Sequence, residues 1–241
     1  MIVRRHFELG ETAVTIVAEE ELIGHAERSI FDSREELLSF LAKDPFFGLT
    51  LEPYEEPRAS PPIVKRMCEA ARAANVGPMA AVAGAIAEAA LEAMVERGAD
   101  HAIVDNGGDI AMVLRKETAV GIYAGDSPFK GFAYMVPPTD GRYGICTSSG
   151  TVGPSISFGI ADAATVFAKD VALADACATA LGNMVRSPDE DVLSDAVRSI
   201  SGIRGVDGCV VIVGDRLAMR GKVPDLVRCD ETRYKVSERY L

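Results

Sequence analysis

Apolar and polar positions alternate along the chain with two different periods, and each period predicts a different kind of element. The stretch HFELGETAVTIVAEE, residues 6–20, alternates apolar and polar side chains on both sides of Gly10. That pattern predicts a β-hairpin. The run REELLSFLAK has helical spacing, with Asp32 or Ser33 as its N-terminal cap and Asp44-Pro45 as its stop. A connector with five prolines, DPFFGLTLEPYEEPRASPP, follows it.

Two helices are predicted next. Ser60 and the two prolines after it are a typical helix start, and they precede IVKRMCEAARAANV, which ends at Gly77-Pro78. The Ala-rich run PMAAVAGAIAEAALEAMVERG predicts a long helix that ends on Gly98. Its first half has almost no polar face. We therefore expect it to be buried against a sheet, with side chains small enough for another backbone to come close.

The remaining segments predict strands and two further helices. HAIVDNGGDIAMVLR indicates a hairpin, as does GCVVIVGDRLAMRG with its turn at Gly214-Asp215. Single strands are predicted for TAVGIYAG, GFAYMVPP and RYGICTSS, and helices for VALADACATALGNMV and SPDEDVLSDAVRSIS. The charged tail DETRYKVSERYL is expected to be peripheral. Without a repeat or a low-complexity linker, the pattern favours one α+β domain over residues 1–241.

The amino-acid composition argues against two classes of function, binding to nucleic acid and binding to an anionic membrane surface. Acidic residues outnumber basic ones by 36 to 25, giving a formal net charge of -11. Without a Lys/Arg cluster, binding to nucleic acid or to an anionic membrane surface is not expected. No apolar run is expected to reach the length of a bilayer span, and the N-terminus lacks the apolar block of a signal peptide, so a cytoplasmic protein is expected. Anionic small molecules remain possible ligands, because backbone N–H groups or a metal bind them locally.

The cysteines and histidines argue against two kinds of site. Five cysteines and three histidines are widely spaced, with no CxxC pair. This spacing fits reduced thiols better than a disulfide framework or a zinc site. DNGGD, residues 105–109, is either a hairpin turn or a turn at which the backbone approaches a ligand. ADACAT places Asp175 and Thr179 on one helical face. They are either oxygen ligands for a hard cation, Mg²⁺ or Ca²⁺, or a helix start with one buried polar contact.

The stretch CTSSGTVGPS, residues 146–155, is the third candidate. Its hydroxyls and N–H groups suit a phosphate or the edge of a flavin. Cys146 has no His or Lys among these residues to lower its pKa, and Arg142 lies four residues away on the same strand. We therefore expect a buried, unreactive thiol and a ligand-binding loop that faces the NGGD turn and the ADACAT helix.

Taken in order, these motifs resemble the ApbE-like superfamily of FAD:protein FMN transferases. Asn106-Gly107-Gly108-Asp109 is similar to the NAGGD turn of that family, Thr147-Ser148-Ser149-Gly150 to its ATSG segment, and LADACATALGN to its ADALATAL helix. The Ala-rich helix is similar to GGIAKGYAVD. The resemblance covers roughly residues 75–185 and implies a single ApbE-like domain with mixed or antiparallel sheets packed against Ala-rich helices. A branch of short ApbE-like proteins with VGPMAAVAGAIAE, NGGDI and SSGTVGPS is the nearest match.

The resemblance also implies ligands and site residues. It implies FAD or another flavin nucleotide, held by Asn106, Gly107, Gly108, Asp109, Thr147, Ser148, Ser149 and Gly150. It implies Mg²⁺ on Asp175 and Thr179, with Asp162 in support. No catalytic residue is assigned, because the lysine of AKGY and the histidine of HIIDPRTG have no counterpart here. Efficient FMN transfer is therefore not expected.

Three functions stay open from the sequence. One is binding of a phosphate-bearing, flavin-like cofactor with Mg²⁺. The second is a role in sulfur assimilation, handling sulfide toward homocysteine, with Cys146 as carrier. The third is a non-catalytic binding or scaffold protein. The expected partner is a small-molecule ligand. A homodimer is also expected, because Phe46, Phe47 and Tyr54 would otherwise be exposed.

Overall fold

Two antiparallel sheets and a set of helices make up the computed structural model, which describes residues 1–10, 12–150 and 158–229. The strands are β1 (Ile2–Leu9), β2 (Thr12–Glu19), β3 (Ala102–Asn106), β4 (Asp109–Val113), β5 (Thr118–Gly121), β6 (Phe132–Val136), β7 (Tyr143–Ser148), β8 (Ala163–Ala168), β9 (Val206–Val213), β10 (Arg216–Gly221) and β11 (Asp225–Arg228). The α-helices are α1 (Glu20–Leu41), α2 (Pro62–Ala74), α3 (Val82–Val95), α4 (Val171–Met184) and α5 (Glu190–Ser201). Short 3-10 helices cover Pro45–Gly48 and Pro78–Ala81.

The molecule has three layers. Eight strands form the large sheet in the order β1-β2-β3-β4-β7-β8-β9-β10, and β11-β6-β5 form the small one. The helices cover one face of the large sheet and the small sheet covers the other, so each face has its own apolar core. Tyr134 of the small sheet meets Phe167 of the large sheet edge to face, with ring centroids 4.9 Å apart. The architecture confirms the α+β class.

Most predicted elements are confirmed, but the first helix is longer than its pattern suggested. The hairpins at Gly10 and Gly214 are present, each glycine with a positive φ. The prediction of a helix start at Asp32 or Ser33 is wrong, because α1 already begins at Glu20. Leu22, Ile23, Ala26 and Ile30 extend its buried stripe toward the N-terminus, and Ser33 is buried inside the helix.

Two strands have no counterpart among the predicted elements. All six side chains of β8 are buried, so its sequence AATVFA shows no alternation of apolar and polar residues. β11 has only four residues and pairs with β6 of the small sheet. The tail after Cys229 and the part of CTSSGTVGPS after Gly150 lie outside the described residues.

The aromatic residues of the connector are mostly covered by the chain itself. Phe47 is fully buried and meets Phe40 at 5.0 Å and Tyr54 at 5.4 Å between ring centroids. The Tyr54 hydroxyl donates a hydrogen bond of 2.6 Å to Asp44. Of the three aromatic side chains expected to need a cover, only Phe46 is exposed, so it alone still favours a dimer.

The expectation that no apolar run reaches the length of a bilayer span is wrong for one helical stretch. Pro78–Val95 is long and apolar enough, by length and composition, to cross a membrane. More than half of it is buried inside the fold, however, against α1, α4 and the large sheet. This burial is what a core helix shows, and it confirms the expectation that the Ala-rich helix packs against a sheet.

Candidate functional site

The DNGGD turn joins β3 to β4 and lies beside the end of β7. Gly107 and Gly108 have φ of +71° and +107°, in the region that favours glycine, and the Gly108 amide donates to Asp105 Oδ1 over 2.9 Å. In the pairing of β4 with β7, Asp109 lies opposite Cys146. The NGGD turn and the start of the CTSSG stretch are therefore neighbours in the large sheet, as expected.

Helix α4 crosses the same strands on the helical face of the sheet. The Asp170 side chain caps it by accepting from the Leu173 amide over 2.9 Å. Cys146 Sγ donates to the Val171 carbonyl oxygen at 3.5 Å, and Asp175 follows one turn later on α4. Asp175 is buried, whereas Thr179 is half-buried. The helix therefore brings its carboxylate against the end of the DNGGD turn.

The start of the Ala-rich helix α3 completes this site. The Gly84 amide donates to Asp175 Oδ2 over 2.8 Å. A Cβ on Gly84 would lie 2.6 Å from the Val171 carbonyl oxygen and 2.7 Å from Asp175 Cβ. Only glycine allows this approach, which confirms that small side chains let another backbone come close. The Asn106 amide group donates to the Ala83 carbonyl oxygen over 3.0 Å and ties the turn to the same helix start.

We call the place where these elements meet the carboxylate junction, and define it by Asp109, Cys146, Ser148, Asp175 and Thr179. Burial first, and then the nearby Asp105, raise the pKa of Asp109 to about 7. Burial and the charge of Asp109 raise the pKa of Asp175 well above its ordinary value, although the amides of Gly84 and Ala83 oppose that shift. Two coupled carboxylates of this kind retain a proton or hold a cation.

Cys146 is placed between these carboxylates as a thiol. It is fully buried, and burial together with the charges of Asp109 and Asp175 raises the pKa of the thiol well above its usual range. A thiolate is the nucleophilic form of cysteine. The expectation that Cys146 is buried is confirmed, and its surroundings disfavour a thiolate carrier.

The TSSG segment continues from β7 toward the end of α4. Thr147 Oγ1 lies 3.0 Å from Thr165 Oγ1, and Ser148 is buried. The Gly150 amide donates to the Ala161 carbonyl oxygen over 2.9 Å. A Cβ on Gly150 would lie 2.1 Å from the Gly159 carbonyl oxygen, and one on Gly159 would lie 1.8 Å from that of Gly182. The backbones of these three segments are therefore in direct contact.

Asp162, expected in support of the metal, makes a different contact. Its carboxylate accepts from the Gly214 amide over 2.7 Å, at the turn of the β9–β10 hairpin. Within residues 1–10, 12–150 and 158–229, no group of three or more His, Cys, Asp or Glu side chains is arranged to hold a metal ion. A cation at the carboxylate junction would therefore also need hydroxyl, backbone, water or phosphate oxygens.

Sequence reasoning missed another buried carboxylate, Glu88. It is 2% exposed and accepts from the amides of Val171 and Ala172 at 3.1 Å each. Arg142 Nη1 lies 2.9 Å from Glu88 Oε1, and Arg66 Nη1 lies 3.8 Å from Glu88 Oε2. The available signal was a lone charge after ten uncharged residues in a buried helix. Glu88 anchors the start of α4, the helix that carries Asp175.

Glu92 extends this ion-pair network one turn along α3. It pairs with Arg66 over 2.7 Å and also with Arg142. Arg142 Nε donates to the Lys169 carbonyl oxygen over 3.0 Å. The Arg142 guanidinium is thus engaged at the N-terminal end of α4.

Comparison with known proteins gives a family and relatives that match most of this chain. A family model described as "AbpE bacteria" matches residues 2–209. The UPF0280 protein of Methanothrix thermoacetophila is 53% identical over 229 residues, which cover 94% of this chain and 95% of that relative. The UPF0280 protein of Methanosarcina acetivorans is 48% identical over 229 residues, covering 95% of this chain and 90% of the relative.

Solved structures share the fold at low identity. The apo flavinyl transferase ApbE of Pseudomonas stutzeri superposes with a TM-score of 0.59 at 14% identity, covering 91% of this chain and 94% of that one. The flavin transferase ApbE of Vibrio cholerae gives 0.58 at 13% identity, covering 91% and 96%. The fold is therefore ApbE-like.

Proposed function

This chain belongs to the AbpE bacteria family, and we propose that it binds a flavin nucleotide together with Mg²⁺ at the carboxylate junction. The observation that carries the proposal is the approach of two carboxylates from different elements: Asp109 lies on β4 opposite Cys146, whose thiol contacts the first turn of α4, and Asp175 follows one turn later on that helix. The raised pKa values of both carboxyl groups agree with this approach. A cation between β4 and α4 removes the electrostatic penalty of ionising both. The ApbE-like fold supports the choice of a flavin.

The donor set fits a hard cation. Asp175 supplies a carboxylate, Thr179 a hydroxyl one turn later, and Asp109 a second carboxylate from the facing strand. Mg²⁺ prefers oxygen ligands and keeps several waters or takes phosphate oxygens. When bound, it would offset the charge of a ligand's phosphates. The Gly84 amide holds Asp175 in place, so its carboxylate needs little reordering.

The binding proposal does not extend to efficient FMN transfer. Transfer requires a group that stabilises charge on the phosphoryl and one that activates the accepting hydroxyl. Arg142 is held by Glu88 and Glu92. Losing one positioned charge or base costs about a hundredfold or more in rate. We expect no covalent flavin on a flavinylation-motif acceptor incubated with FAD and Mg²⁺; an in-gel fluorescent band that disappears in Asp175→Ala would overturn this.

Titration of the protein with FAD, with and without Mg²⁺, tests the binding proposal. We expect Mg²⁺-dependent binding in the wild type, and at least about tenfold weaker binding in Asp175→Asn, because a charged metal ligand is lost. Asp191→Asn, an exposed aspartate on α5, is the matched control and should bind normally. An FAD affinity that depends on neither Mg²⁺ nor Asp175, or no binding at all, would overturn the proposal.

The proposal also includes a homodimer and a cytoplasmic location. Phe46, Leu49 and Leu51 lie within six residues and are 62%, 75% and 58% exposed. A homodimer that covers them would remove this apolar surface from water. Light scattering that gives the mass of one 25.6 kDa chain at all concentrations would contradict it. All five cysteines are free thiols, as expected in the cytoplasm.

A further inference from the structure

β1 forms one end of the large sheet, and within the described part of the chain only β2 lies beside it as a strand. The Glu20 amide donates to the Met1 carbonyl oxygen over 3.1 Å, one step beyond the pairing of Ile2 with Glu19. Hydrogen-bonded pairs alternate along an antiparallel ladder, so the odd-numbered residues of β1 bond to β2. The backbone N–H and C=O groups of its even-numbered residues therefore point away from β2, along an open edge.

The side chains of β1 leave this edge accessible. Val3 and Phe7 pack against the core under the helices, and the even-numbered side chains are exposed on the other face. There His6 Nδ1 lies 3.0 Å from Thr15 Oγ1, and His6 Nε2 lies 3.8 Å from Glu8 Oε1. All eight residues of β1 pair with β2 in unbroken register, without the proline, lysine or bulge that often protects an edge strand. The edge can therefore accept another strand.

Symmetry limits the registers in which β1 can pair with β1 of a second copy. Residues directly opposite each other in an antiparallel pair have their side chains on the same face, so even-numbered positions must face even-numbered ones. In a two-fold symmetric dimer, one residue then lies opposite its own copy. Two such registers pair seven of the eight residues of β1, one centred on Arg5 and the other on His6.

Charge separates these two registers. The register centred on Arg5 puts that guanidinium opposite its own copy, and like charges directly opposite each other are destabilising. In the register centred on His6, the numbers of opposite residues add up to 12. Arg4 then lies opposite the partner's Glu8, and by symmetry Glu8 lies opposite the partner's Arg4, which makes two pairs of opposite charge. The edge of β1 is therefore complementary to itself in this register.

We infer that two copies of this chain associate through their β1 edges, antiparallel and centred on His6, with Arg4 of each copy opposite the partner's Glu8. The three pairs formed by positions 4, 6 and 8 each exchange two N–H···O bonds, because these residues have their backbone groups on the outer edge. The two large sheets then form one continuous sheet. The inference goes beyond the proposed function, since it involves neither the carboxylate junction nor the exposed residues of the connector.

Charge reversal at positions 4 and 8 tests this interface by sedimentation equilibrium. Arg4→Glu places acidic side chains opposite each other, and Glu8→Arg places basic ones, so each should weaken the dimer by at least about tenfold. The double variant Arg4→Glu with Glu8→Arg restores opposite charges and should dimerise like the wild type. A mixture of the two single variants should form mixed dimers. Asp191→Arg, exposed on α5, changes the net charge by the same amount as Glu8→Arg and should have no effect.

The outcomes separate this interface from a dimer through the connector. If Phe46→Ser dissociates the dimer and both single reversals do not, the inference is overturned and the proposed dimer stands. If the single reversals dissociate it and Phe46→Ser does not, the inference is supported and the connector dimer is overturned. A mass of one 25.6 kDa chain for the wild type at all concentrations overturns both. Dissociation without recovery in the double variant and in the mixture also overturns the inference.

Discussion

Replacing Gly84 with alanine tests the contact on which the carboxylate junction depends. The new Cβ would lie 2.6 Å from the Val171 carbonyl oxygen and 2.7 Å from Asp175 Cβ. An optimal carbon contact is about 3.5–4.0 Å, so α3 and α4 must move apart by about 1 Å. Overpacking of this kind costs about 1–3 kcal/mol. The same movement weakens the 2.8 Å hydrogen bond from the Gly84 amide to Asp175, worth about 0.5–1.5 kcal/mol for a typical protein hydrogen bond.

The expected effect is a lower free energy of unfolding. Alanine is more favourable than glycine in a helix by about 0.5–1 kcal/mol, which leaves a net loss of about 0.5–4 kcal/mol. For a chain of this size that lowers the thermal midpoint by about 1–16 °C. Calorimetry or urea denaturation measures it, and Mg²⁺-dependent ligand binding should weaken in the same variant because Asp175 is displaced.

Gly24→Ala is the matched control for this substitution. Gly24 lies inside α1 and is exposed, and no atom of the described residues outside its own helical turn lies within 4 Å of where a Cβ would stand. The same chemical change should therefore stabilise the protein by about 0.5–1 kcal/mol. If Gly84→Ala were as stable as Gly24→Ala, the close packing of α3 on α4 would be refuted.

Three further predictions concern other buried groups. Glu88→Ala should cost about 2–5 kcal/mol in urea denaturation, because it leaves two buried α4 amides without their acceptor and removes one of the two carboxylates that pair with Arg66 and Arg142; a loss below about 1 kcal/mol would contradict the anchoring role. Burial lowers the pKa of His101, followed by the charges of Lys116 and Arg115. The folded-state pKa is thus below the unfolded one, so wild type should lose stability relative to His101→Gln as pH falls below about 6.5, and equal pH profiles would refute this. In the native protein Cys229 should react with a thiol reagent before Cys146, which is fully buried with a raised pKa; fast labelling of Cys146 would reopen its role as a carrier.

Local patterns in the sequence determined most of the elements and the three candidate motifs. Alternation around Gly10, the Pro-Pro start of α2 and the periodicity of α4 act over a few residues, so they can be read without the fold. Where both faces of a strand are buried, the alternation of apolar and polar residues disappears. β8 was missed for that reason, since its six side chains are all buried between the helices and the small sheet.

Only the tertiary structure decided which residues of these motifs lie together. Strand register places Asp109 opposite Cys146, and the pleat of β7 sends Ser148 toward α4 and Thr147 toward the small sheet. In the sequence the two hydroxyls stand side by side, and nothing there tells which of them is already bonded. The raised pKa of Asp175 likewise arises from burial and from the charge of Asp109, which lies 66 positions earlier in the sequence. Burial and proximity of this kind depend on the packing of distant segments, which no local pattern contains.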